Sequence, residues 1–197
     1  MEPAVQVSDI ALMLQVREGS ERAFETLHER YQHRVINFFY GMTADPHAAN
    51  DLCQETFLRI WRVRKRYCAT GAFPGYLFAI ARMIWLERCR SQKKLWRLGL
   101  QKELNDSWEV PADPAAGPDV CAVRSEVQEQ ILNAVEELPE EQRMVFVMRN
   151  IHGLSIEDIA KALDCPVNTV RSRKILAVKK VRHVLSTVFT NKVDRTV

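Results

Sequence analysis

The chain has 197 residues, of which 47% are apolar and 27% charged, and its net charge is only +3. That is enough apolar content for a real core in one domain or two small ones, while the net charge decides nothing about partners and its distribution must. Five scattered cysteines, an odd number without a C-x-x-C pair, exclude a disulfide framework or a zinc knuckle and leave reduced thiols as the expectation. No basic segment followed by an apolar run opens the chain, and no stretch approaches about 18 uncharged apolar residues, so a soluble, unexported, cytoplasmic protein is expected.

Residues Ile10 to Val16 form a short apolar-periodic helix ending near Gly19, and Ser20 caps the next one ahead of Glu21. In that second helix Phe24, Leu27, Tyr31, Val35, Phe38 and Phe39 recur at spacings of three and four. Such a stripe is core far more often than a base-stacking platform. Gly41 and the Thr43–Pro46 cluster break the chain. A third helix follows from about His47 to Lys65, burying Ala49, Leu52, Cys53, Phe57, Ile60 and Trp61. Its other face separates charge by sign: Asp51, Gln54 and Glu55 first, then Arg59, Arg62, Arg64, Lys65 and Arg66. Two readings stand for that face, a solvated surface or an acidic patch for a protein beside a basic one for nucleic acid.

Two glycines and a proline make Tyr67 to Gly75 a loop. It carries Tyr67 and Phe73, with Tyr76 just beyond, and these rings either stack unpaired bases or plug the core. A helix from Tyr76 to Arg90 then points Leu77, Ile80, Ala81, Ile84, Trp85 and Cys89 inward and leaves through a basic exit that includes Arg82, Arg88, Arg90 and Lys93. From about Leu98 to Arg124 the composition turns to Pro, Ala and Asp without periodicity, which reads as an interdomain linker; Trp108 within it is expected to pack on something. Helical spacing returns with Val127, Ile131, Val135 and Leu138. Pro139 restarts the chain, and Met144, Val145, Val147 and Met148 carry a core helix toward His152 and Gly153.

The most informative stretch follows. Ser155 caps a short helix with Asp158 in its first turn and Ile156, Ile159, Ala160 and Leu163 on one face. Pro166 lacks the N–H needed to continue that helix, and its fixed φ suits the start of another. The second helix points Val167, Val170, Leu176 and Val181 inward, while Asn168, Thr169, Arg171, Ser172, Arg173 and Lys174 crowd its N-terminal half. A recognition helix meets base edges and phosphates there, and from Pro166 onward the only acid is Asp194. This is a candidate helix-turn-helix.

No phosphate loop, nucleophile elbow or H-E-x-x-H pair is present. His28 and His33, five apart, do not share a helix face cleanly, so neither a catalytic set, nor a metal site, nor a cofactor is expected.

Two blocks together resemble the bacterial RNA polymerase sigma factors of the extracytoplasmic-function (ECF) group of the sigma-70 family. Ala23–Tyr31, Asp51–Trp61 and Phe73–Arg82 are similar to sigma region 2. Leu138–Phe146, Gly153–Ala160 and Pro166–Arg173 are similar to region 4. The resemblance implies an all-α fold of two small helical domains joined by a flexible linker: region 2 over 1–97, linker 98–124, region 4 over 125–190 and a tail over 191–197. It also implies a transcription initiation factor rather than an enzyme. Asp51, Gln54, Glu55 and Arg59 would grip core RNA polymerase. Arg66, Tyr67, Phe73, Tyr76, Arg82 and Arg88 would melt and hold the minus-10 element of promoter DNA, and Asn168, Thr169, Arg171, Ser172, Arg173 and Lys174 would read the minus-35 element. The linker would lie in the path of nascent RNA, and an anti-sigma factor would hold the protein inactive until an envelope or stress signal; Cys53, Cys89 and Cys165 are then core residues. The sequence departs from the family pattern at Tyr76, Met83, Asn168, Ile175 and Leu176, which bears on the promoter sequence read. The rival reading is a free-standing helix-turn-helix regulator that finds duplex DNA without polymerase.

Overall fold

A computed structural model describes residues 7–97, 130, 131 and 133–193. Among these the ordered elements are all helical: α1 (Asp9–Arg17), α2 (Glu21–Thr43), α3 (Pro46–Val63), a 3-10 turn (Arg64–Arg66), α4 (Phe73–Arg97), a helical turn at 133–136, α5 (Glu140–Phe146), a π-helical turn (Val147–Ile151), α6 (Ile156–Leu163) and α7 (Val167–Val193). The linker expected at 98–124, including Trp108, lies outside the described residues. Helix α7 continues to Val193, into the stretch expected as a tail.

Helix starts follow from caps. The hydroxyls of Ser8, Ser20 and Ser155 accept from the N–H groups of Ala11, Ala23 and Asp158, and the Asp45 carboxylate accepts from His47 and Ala48. Each cap satisfies a donor the helix itself leaves open, which stabilises it by about 1 kcal/mol. Two boundaries differ from the sequence reading for one reason. Proline is welcome in the first helical turn, where its missing N–H costs nothing. Hence α3 begins at Pro46, one residue early, and α4 begins at Phe73, taking Pro74 and Gly75 out of the expected loop.

Helices α1 to α4 form one bundle, with α2 against α1 and α3, and α3 against α4. Phe38, Phe39 and Phe78 are fully buried in it, and Phe38 meets the other two edge-on; burying each such ring contributes roughly 1.5–3 kcal/mol. The aromatic stripe of α2 is therefore core. Helices α5, α6 and α7 form a second, smaller group. The two groups pack directly on each other, α4 along α6 and α2 against α5 and the π turn, so that buried residues run continuously from one to the other. Gly41 makes the approach possible: a Cβ there would lie 3.0 Å from Cγ2 of Val147, tighter than packed side chains accept.

Candidate functional surfaces

The outer face of α3 is uncovered by the rest of the described chain. Asp51, Gln54 and Arg62 are exposed and Glu55 half-exposed. Leu58, 49% exposed, sits between them at the helical spacing that puts all five on one stripe. Sequence reasoning missed Leu58 because one leucine among charges looks like part of the buried period; only its neighbours' exposure reveals it. Arg59 turns to the edge of this stripe, where its guanidinium bonds Glu55 (3.2 Å) and both carboxylate oxygens of Glu87 on α4 (3.2 and 3.0 Å). The Glu87 hydrogen bonds raise the Arg59 pKa and lower that of Glu87. Arg59 thus bridges two helices as well as bordering the acidic face.

The aromatic loop is arranged differently from a row of open rings. Tyr67 is 2% and Phe73 1% exposed, so both plug the core. Tyr67 meets Tyr76 edge-on at 4.9 Å between ring centres, and Phe73 packs on Tyr31 at 5.2 Å. Burial raises the pKa values of Tyr67 and Tyr76. In this arrangement the stacking role expected for Tyr67 and Phe73 gives way to a structural one, because a buried face offers no platform to a base. The Tyr67 hydroxyl is buried without a hydrogen-bond partner. Arg66, Cys68, Ala69 and Thr70 are exposed, Tyr76, Arg82 and Arg88 half-buried. Helix α6 lies over this loop: Cβ atoms placed on Gly71 and Gly75 would meet Lys161 Nζ at 3.3 Å and Asp158 Oδ1 at 3.5 Å.

The third surface is α7. Asp164 takes a left-handed conformation (φ 49°) that ends α6, and the chain turns through Cys165 and Pro166 into the next helix. Val170, Ala177 and Val181 face inward; Asn168, Arg171 and Ser172 are exposed, and Thr169 and Lys174 half-buried. Arg171 donates to Asn168 Oδ1 at 3.4 Å along the surface. Arg173 differs from the other predicted readers. It points back, ion-paired with Glu141 of α5 and 3.7 Å from the Cys165 sulfur. Leu176, expected inward, is 48% exposed because the seam has already closed at Ala177 and Val181.

Between the two groups Arg82, Leu86, Glu140, Glu141 and Arg173 line a cavity of about 120 Å³, so an expected minus-10 residue and an expected minus-35 residue meet across two carboxylates. Nearby, Trp85 Nε1 donates to Glu140 Oε1 at 2.8 Å, Arg143 to the Met42 carbonyl at 3.2 Å and Arg34 to the His152 carbonyl at 2.6 Å. His152 stacks on Phe78, and burial, aided by Arg34, pushes its pKa down to about 4. Of the cysteines expected in the core, Cys53 is buried with its thiol pushed up to about 12, while Cys89 and Cys165 are half-buried; Cys68 is exposed.

An acidic stripe with a leucine, a basic aromatic loop and a helix-turn-helix occur here in that order. Residues 27–95 match the family pattern of sigma-70 region 2 and residues 128–181 that of sigma-70 region 4, together more than half of the chain. The chain belongs to the sigma-70 family. The ECF RNA polymerase sigma-E factors of Salmonella typhimurium and of Escherichia coli K12 are each 30% identical to it over 179 residues, 85% of this chain and 89% of theirs. The RNA polymerase sigma-H factor of Pseudomonas aeruginosa is 29% identical over 177 residues, with the same coverage. These relatives set it in the ECF group. Two solved structures share the fold: CnrH in complex with the cytosolic domain of CnrY (TM-score 0.68, 21% identity, 92% of this chain and 99% of that one), and the sigma factor RpoE with the anti-sigma factor NepR from Bartonella quintana (0.67, 18%, 83% and 96%). This sigma factor is accordingly a promoter-specific transcription initiation factor that acts with RNA polymerase and is not an enzyme. Its two matched regions correspond to the α2–α4 part of the first helical group and to the second group, and no described helix is long and apolar enough to cross a membrane.

Proposed function

We propose that the sigma factor grips core RNA polymerase through the α3 stripe of Asp51, Gln54, Glu55 and Leu58, bordered by Arg59. It brings the enzyme to stress- or envelope-type promoters in the cytoplasm. The observation that carries this reading is the stripe itself: an exposed leucine ringed by acids and uncovered by the chain has the make-up of an interface core with a charged rim. The half-buried and exposed basic groups around the aromatic loop, Arg66, Arg82 and Arg88, serve the minus-10 element, with Tyr76 as the ring nearest to solvent there. Tyr67 and Phe73 support it from beneath. Asn168, Arg171 and Ser172, flanked by Thr169 and Lys174, meet the minus-35 element in the major groove, and Arg173 braces the helix that carries them. An anti-sigma factor is the proposed regulator, in keeping with the complexed relatives whose fold the chain shares.

The test is reconstitution. Purified protein mixed with core polymerase is expected to co-elute with it and to start transcription from a subset of promoters in a genomic pool. Failure to bind core or to initiate anywhere would remove the reading. Tight duplex binding without polymerase would favour the stand-alone regulator.

A further inference from the structure

Ile175 is the most exposed large hydrophobic residue among those described, at 67%. It lies on the reading helix α7, four residues after Arg171, three after Ser172 and seven after Asn168, which puts all four on one outward face. The same face continues through the exposed Lys179 and Arg182. The inward side is complete without it, since Val170, Ala177 and Val181 are buried there. A β-branched apolar side chain thus stands in the middle of a polar and basic stripe with no packing duty.

In a major groove that pattern has a specific chemistry. Arginine pairs with the acceptors of guanine, asparagine with the donor and acceptor of adenine, and an apolar side chain with the one apolar feature a base edge offers, the 5-methyl group of thymine. We propose that Ile175 is a specificity-determining residue that reads a thymine methyl in the minus-35 element. This rests on α7 being the minus-35 reader. Four residues of helix advance about 6 Å, and successive base pairs are about 3.4 Å apart. The thymine therefore lies within about two base pairs of the base met by Arg171. Ile175 carries no charge, so its contribution is to sequence choice and not to the salt-dependent attraction of the backbone.

The experiment uses holoenzyme on a promoter identified by mapping transcript starts. Each minus-35 thymine is replaced singly by deoxyuridine, which removes the methyl and leaves the pairing edge intact. At one position the wild-type protein is expected to lose about fourfold in promoter binding, the equivalent of the ~0.8 kcal/mol of one buried methylene. Ile175→Ala, whose side chain is exposed and whose fold circular dichroism checks, is expected to be indifferent to the methyl at that position and to keep the wild-type salt slope. Two results overturn the proposal: no thymine at which the methyl matters, or an Ile175→Ala protein that responds to the deoxyuridine series as the wild type does. Arg171→Ala in the same assay separates the premise. If it leaves promoter use unchanged, the assignment of α7 as reader fails; if it lowers use while the methyl series is flat, only the role of Ile175 fails.

Discussion

The indole N–H of Trp85 donates to the carboxylate of Glu140, a bond between two residues 55 positions apart that ties the first helical group to the second. Trp85 is buried, so removing its acceptor strands a donor away from water. Glu140→Ala is expected to cost about 1–3 kcal/mol and to loosen the packing of α4 on α5 and α6. A lower melting temperature together with a longer distance between fluorophores placed on the two groups would check it.

On the α3 stripe, Asp51→Arg is expected to abolish core polymerase binding while leaving helicity unchanged, because Asp51 is exposed and makes no tertiary ion pair in the described residues. Leu58→Ala is expected to weaken the same complex by more than 1 kcal/mol, as the apolar centre of the patch. Co-elution with core measures both, and persistent binding of the Asp51→Arg protein would argue for a different face.

The two arginines of the reading helix should separate. Arg171→Ala removes an exposed group and is expected to cost about 1–3 kcal/mol at the promoter if it meets a base, or to lower the salt slope by about one if it meets a phosphate, with the fold unaffected. Arg173→Ala removes the brace to Glu141, so promoter use is expected to fall together with thermal stability, by about 1 kcal/mol or less because Glu141 is largely exposed. Melting curves alongside transcription at several salt concentrations distinguish the two.

His152 sets a pH dependence. Its folded pKa of about 4 lies below the ordinary 6.5, so the unfolded chain binds the extra proton and folding is favoured by high pH. The stabilisation is complete above about pH 6.5 and is lost progressively as pH falls toward 4, with a loss of roughly 2 kcal/mol by pH 5. Urea titrations between pH 7 and 5 are expected to show this slope in the wild type and a flatter one in His152→Phe.

Much of this was legible in the sequence, and what was not had physical reasons. Ser20, Asp45 and Ser155 announced their helices because capping is local chemistry, and the α2 rings were recognisable core because burial follows the helical period. Tyr67 and Phe73 were ambiguous because a loop has no period to tell an inward ring from an outward one. Leu176 was misplaced for a related reason: the periodic match continued past the point where the seam is filled. The docking of the two groups left no trace, since its bonds join residues such as Arg34 and His152, 118 positions apart, through a backbone carbonyl that has no side-chain identity.

The π turn at Val147–Ile151 has a consequence for which sequence changes the chain can accept. There the His152 N–H reaches back five residues to the Val147 carbonyl, and the consecutive Val147 and Met148 are both buried. Such a turn holds one residue more than an α-helix would. Deleting any one of the five would restore ordinary helix and rotate everything after it by about 100°, taking His152 off Phe78 and swinging α6 and α7 around the axis. Substitutions in this turn alter packing by degrees, whereas a single-codon deletion would re-aim the DNA-reading helix while leaving every residue of its reading face intact.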